Sequence, residues 1–138
     1  ISDIPPDVTV LACNASFEKS VLVELSKQFP KYKKHLQNII NNLVDLAEPF
    51  RKKYYYHPEM KGKFSIKIIL PLLVPEMEKE YENLEIQNGS EAMQSFANLV
   101  KINDQNQINR TRKNLIKYCE LDTLAMVKIH DKLVKLCE

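Results

Sequence analysis

The sequence predicts a mostly helical chain built around one short buried strand, an incomplete α/β arrangement. Three observations predict it. Apolar residues recur at spacings of three and four from Phe17 onward, the signature of helices with one buried face. Asp7-Val8-Thr9-Val10-Leu11-Ala12-Cys13, after Pro5-Pro6, is a β-branched and apolar run of strand length. The 138 residues are 44% apolar and 28% charged, values that fill a core and exclude wholesale disorder.

The elements follow in order. A strand over 7–13, apolar on both faces, belongs inside a covered sheet. Asn14 or Ser16 then serves as a helix N-cap. Phe17, Val21, Leu22, Leu25 and Phe29 form one helix face, and Pro30 ends that helix or begins the next. Tyr32, Leu36, Ile39, Ile40 and Leu43 repeat the pattern over 31–43. Val44-Asp45-Leu46 reads as either a brief strand or a helix end. Residues 47–56 read as a helix after Pro49, with Phe50 and Tyr54 on one face, and 57–63 as a loop. Ser65 caps an apolar helix over 66–74, which Pro71 shortens or kinks and Pro75 stops. Residues 76–87 are acidic and weakly periodic, a partly ordered connection. Asn88-Gly89-Ser90 starts a helix over 91–102, with Ala92, Met93, Phe96, Leu99 and Val100 on one face. Asp104 caps a long last helix that bends near 120–122. The total is five or six helices with one or two short strands.

There is no internal repeat or linker, so 1–138 reads as a single domain. A lone buried strand lacks ladder partners, and unpaired interior backbone is costly. Either further strands lie in the apparent loops, or the sheet continues in sequence outside this chain. The second option makes this the C-terminal part of a larger protein, consistent with the missing initiator Met. It also leaves the 8–13 strand with exposed edges, which predicts a homodimer through that strand.

Composition removes several functions. Two glycines are too few for a phosphate-cradling loop. A formal charge of +2 gives no global field toward nucleic acid. No apolar run is long enough to span a membrane. The acidic N-terminal stretch is not a signal peptide. Cys13, Cys119 and Cys137 cannot all pair, which predicts a reduced, cytoplasmic setting and weighs against a secreted bundle. His35, His57 and His130 lack zinc-site spacing. Cys119 reads as a packed thiol. The excess of Lys over Arg, with frequent Asn and Ile, suggests an AT-rich bacterial genome.

Three places carry chemistry. Glu18 follows the strand by a few residues, where α/β sites collect; it equally suits a helix N-terminus, where an acid offsets the macrodipole. Tyr118 and Asp122 are four apart and share a helix face. Asp122 there is either a metal ligand or an Asp at a helix bend bonded to Tyr118 or Thr123. Arg51-Lys52-Lys53-Tyr54-Tyr55-Tyr56-His57 interleaves phosphate-attracting bases with stacking rings; it equally suits a solvated helix end whose rings pack on the core.

Taken together, the strand, Asn14-Ala15-Ser16-Phe17-Glu18-Lys19, and Tyr118-Cys119-Glu120-Leu121-Asp122 resemble the second and third motifs of the DEDD superfamily of 3′–5′ exonucleases, which have an RNase H-like fold. A nearer resemblance is to a bacterial family described as a domain of unknown function. It is carried also by Tyr55-Tyr56-His57-Pro58-Glu59-Met60-Lys61-Gly62, Ser65-Ile66-Lys67 and Ile86-Gln87-Asn88-Gly89-Ser90-Glu91-Ala92. The resemblance implies two Mg²⁺ or Mn²⁺ ions held by four carboxylates on a nucleic acid phosphodiester. Glu18 and Asp122 match metal ligands, and Tyr118 matches the residue that orients the attacking water. Asn14, Lys52, Lys53, Tyr55 and Tyr56 are the expected nucleic-acid contacts. The superfamily's first Asp-x-Glu is absent before Glu18, so the isolated chain is expected to be inactive: part of an exonuclease-like protein, or a non-catalytic helical interaction or nucleic-acid-binding module.

Overall fold

A computed structural model describes residues 3–138; the first two residues of the acidic N-terminal stretch, Ile1 and Ser2, lie outside them. The chain divides into two compact units, 1–65 and 66–138. Among the described residues there are six α-helices and two short strands. The mostly helical expectation holds.

The first unit opens with β1 (Val10–Ala12). α1 (Ser16–Gln28) follows, then a 3₁₀ turn (Pro30–Tyr32) and α2 (Lys33–Asn41). β2 (Leu43–Asp45) comes next and pairs parallel to β1, with Val10 opposite Leu43 and Ala12 opposite Asp45. Parallel partners need a long crossover, and α1 and α2 supply it. The missing ladder partner was therefore one of the two readings of 44–46, and β1 has one edge covered, not two free. β1 is shorter than the expected 7–13, and only Ala12 in it is buried. Val8, which would have extended it, is exposed.

α2 carries the core of this unit. Leu36, Ile39 and Ile40 are buried, the spacing of one helix stripe, and each buried aliphatic side chain contributes about 1.5–3 kcal/mol. Ala12, Leu46, Ala47, Phe50 and Met60 are buried with them. Asp7 and Asn38 clamp the approach to β1: the Asp7 N–H donates to Asn38 Oδ1 at 3.0 Å, and Asn38 Nδ2 donates to Asp7 Oδ1 at 2.7 Å.

Two helix expectations need correction here. α1 starts after Ala15 with no side-chain cap; Asn14 instead offers its backbone carbonyl to the Phe17 N–H at 3.1 Å. Phe17, Val21 and Phe29 are exposed, so the predicted stripe is wider than the surface α1 buries. The helix over 47–56 is only one turn, α3 (Glu48–Arg51). Pro49 suits that first turn, but Lys53 then takes φ 59°, a left-handed conformation that a helix cannot include.

The second unit begins with α4 (Ile66–Leu73), where Ile69, Leu70 and Leu73 are buried. Pro71 sits inside it without ending it at once; the helix stops two residues later, before Pro75. The stretch 76–87 is not a loose connection. It opens with a 3₁₀ turn (Pro75–Met77) and buries Met77, Tyr81 and Ile86. α5 (Gly89–Asn98) is capped by Asn88, whose Oδ1 accepts from the Glu91 N–H at 3.0 Å. Glu91 answers by accepting from the Gln87 N–H and from Asn88 Nδ2, a reciprocal arrangement of the capping-box kind. α6 (Gln105–Cys137) is capped by Asp104 as expected and runs unbroken for 33 residues. Both α4 and α5 pack on it.

Candidate functional site

In the first unit, the parallel register brings the carboxyl ends of both strands together. Asp45 closes this end. Its Oδ1 accepts from the Asn14 N–H at 2.9 Å and the Ala47 N–H at 3.0 Å, and Arg51 donates to Oδ2 at 2.8 Å. Partial burial opposes its charge, but Arg51 and the two backbone donors outweigh this and hold the carboxyl below its ordinary range. Asn14 turns here with φ 67°, and its Oδ1 accepts from the Ser16 hydroxyl at 3.3 Å. Asn14 is thus committed to the turn. Glu18 stands in the first turn of α1, half-buried, with Oε2 buried and without a hydrogen-bond partner among the described residues.

The turn after α3 presents the basic and aromatic cluster, and the structure divides it. Tyr54 is 77% and Tyr56 57% exposed, enough free ring for stacking. Tyr55 is half-buried and meets Phe50 edge to face, with centroids 5.7 Å apart. Tyr55 thus packs in part on Phe50, while Tyr54 and Tyr56 present more of their rings to solvent. Lys52 pairs with Glu48 and lies 5.9 Å from the Tyr54 ring centroid. The hydrogen bond and charge of Glu48 raise its pKa. Lys53 is exposed.

In the second unit, Tyr118 and Asp122 lie one turn apart on α6, as their spacing predicts. Asp122 is half-buried, and its Oδ1 accepts from the Tyr81 hydroxyl at 2.6 Å. Tyr118 is buried and packs its ring against Tyr81 with centroids 6.4 Å apart. Burial, then the hydrogen bond and charge of Asp122, push the Tyr118 phenol well above its ordinary value of 10.0. A neutral phenol of this kind donates a hydrogen bond and does not act as a base. Lys67 lies 5.2 Å from the Tyr81 ring centroid and donates to the Gln87 carbonyl.

Asp122 is the carboxylate of a two-phenol cluster within the second unit. Among the described residues no three His, Cys, Asp or Glu side chains converge. Mg²⁺ demands near-octahedral oxygen ligation, which one carboxylate and two phenols do not supply.

Sequence reasoning missed Asp45 and Tyr81. An acid at the end of a strand was a signal for Asp45; nothing near Tyr81 pointed to Asp122. It also placed Cys119 among packed thiols, whereas Cys119 is exposed.

Residues 1–65 match a family described as a domain of unknown function (DUF2779). The chain is also similar to an uncharacterised protein of Mycoplasma genitalium, 31% identical over 133 residues, which are 89% of this chain and 20% of that protein. Its homologue in Mycoplasma pneumoniae is 32% identical over 126 residues, 84% of this chain and 19% of that protein. An uncharacterised protein of Ureaplasma parvum is 27% identical over 150 residues, 96% of this chain and 21% of that protein. The chain therefore spans about a fifth of the length of the curated relatives it matches. These relatives are bacterial, in line with the compositional bias. No solved structure matches. No helix among the described residues is long and apolar enough to cross a membrane.

Proposed function

We propose that this chain binds single-stranded nucleic acid through the turn after α3, as a part of an exonuclease-like protein that is not catalytic by itself. One observation carries the reading. Lys52, Lys53, Tyr54 and Tyr56 are all exposed within five residues. Rings that face solvent gain by stacking on bases, and neighbouring ammonium groups neutralise phosphates. Lys53 has no ion-pair partner among the described residues, so its charge is the one most available to a strand.

The test is fluorescence anisotropy with a labelled oligothymidylate and its RNA counterpart. Tyr54→Ala and Tyr56→Ala are expected to weaken binding about tenfold each, since stacking contributes about 1–3 kcal/mol per base. Lys53→Gly suits the left-handed backbone there and is expected to reduce the salt slope by about 0.7. Binding unaffected by all three variants refutes the reading.

The second reading, an exonuclease contribution from Tyr118 and Asp122, is supported by the phenol and carboxylate sharing one turn of α6. Its metal would need further ligands from outside this cluster. Calorimetry with Mn²⁺ on this chain and on a version extended upstream, each against Asp122→Asn, tests it. Binding by the extended protein that vanishes with Asp122→Asn supports it, and no binding by either form counts against it.

A further inference from the structure

The second unit leaves an apolar groove of about 1020 Å³ along α5 and α6. Met93 and Phe96 line it from α5, and Ile116, Leu124 and Val127 from α6. All five are exposed, Met93 at 64% and Phe96 at 68%. Exposed apolar surface gathered in this way marks a contact site.

The two charged residues of the groove identify its occupant. Arg112 and Glu120 are both in its lining, and neither forms an ion pair among the described residues. They stand four residues on either side of Ile116. At about 1.5 Å per residue they are roughly 12 Å apart along the axis, too far to pair with each other. Antiparallel pairing of two α6 helices about Ile116 puts each Arg112 opposite the other copy's Glu120. An acidic or basic peptide would satisfy only one of the two charges; a second copy satisfies both, twice. That reciprocity is what a two-fold interface requires. We infer that the α5–α6 groove is a self-complementary dimer face, with two copies of α6 antiparallel and Ile116 on the two-fold axis. This face is distinct from the 8–13 strand edge.

The test is sedimentation velocity on the 138-residue chain from about 5 to 300 μM, a range that brackets a dimer of micromolar affinity. The wild type is expected to dimerise. Arg112→Glu and Glu120→Arg each set like charges face to face at two places and are expected to weaken the dimer about tenfold or more. The double variant exchanges the two charges and is expected to restore it. Both residues are exposed, so the fold should tolerate the changes; circular dichroism checks this. In a Cys119→Ser, Cys137→Ser background, which removes both exposed thiols, Ile116→Cys is expected to form an intermolecular disulfide, and the exposed control Gln107→Cys is not. A monomer across the whole range overturns the inference. So does a dimer indifferent to the charge reversals, which would place the contact elsewhere, the β1 edge included.

Discussion

Removing the Asp45 carboxylate should loosen the first unit more than any other change to a polar side chain there. Asp45→Ala leaves the Asn14 and Ala47 N–H groups without an acceptor and frees Arg51. Hydrogen bonds to a charged acceptor contribute about 1.5–3 kcal/mol each when well shielded, while an exposed ion pair contributes about 0–1 kcal/mol. Arg51 is 42% exposed and Asp45 14%, so the backbone bonds dominate. The expected loss is about 3 kcal/mol, a summed figure on those scales. Asp45→Asn keeps an oxygen for both N–H groups and should cost about 1 kcal/mol. Arg51→Ala should cost less than that. Urea unfolding, followed by the NMR amide signals of residues 10–46, reports this unit by itself. The pH dependence has a definite sign. The folded carboxyl is held below its ordinary value of 3.8. The stability from its charge is thus present above that value and lost as pH falls through the lower, folded one. The gap between wild type and Asp45→Asn should shrink below pH 3.8. An Asp45→Ala variant within about 0.5 kcal/mol of wild type, the spread of ordinary surface changes, refutes the strand-end argument.

Two further predictions concern the second unit. Asn88→Ala removes the cap of α5 and should cost about 1 kcal/mol, seen as faster amide exchange at 89–92. Tyr118 should stay protonated above pH 10.0. A raised phenol favours the folded state below its unfolded value and is lost above it, so stability should fall as pH rises past 10. Absorbance titration near 295 nm, the tyrosinate band, should show a late-ionising component that Tyr118→Phe diminishes; a titration curve unchanged by Tyr118→Phe above pH 10 would contradict the cluster.

What the sequence made legible was local. Asn88 and Asp104 announce helix starts because a short polar side chain reaches its own next turn. Tyr118 and Asp122 announce a shared face because helix geometry brings residues four apart together. The Val8–Cys13 run announces a strand, though only its last part pairs. Distant pairings were the hidden part. β2 is three residues long, too short to show a period, and it became a strand only through β1. Tyr81 meets Asp122 from 41 positions away. Residues 76–87 bury Met77, Tyr81 and Ile86 through successive turns with no helical or strand period, so their core role left no pattern. After α3, the left-handed Lys53 ended a helix that the apolar spacing would have continued.

The nucleic-acid reading is tested most directly by titrating the ¹⁵N-labelled chain with unlabelled oligothymidylate and mapping amide shifts. The largest shifts are expected at residues 51–56, with little change at the Tyr118–Asp122 turn. An unshifted spectrum at saturating oligonucleotide, or shifts confined to other residues, would contradict it.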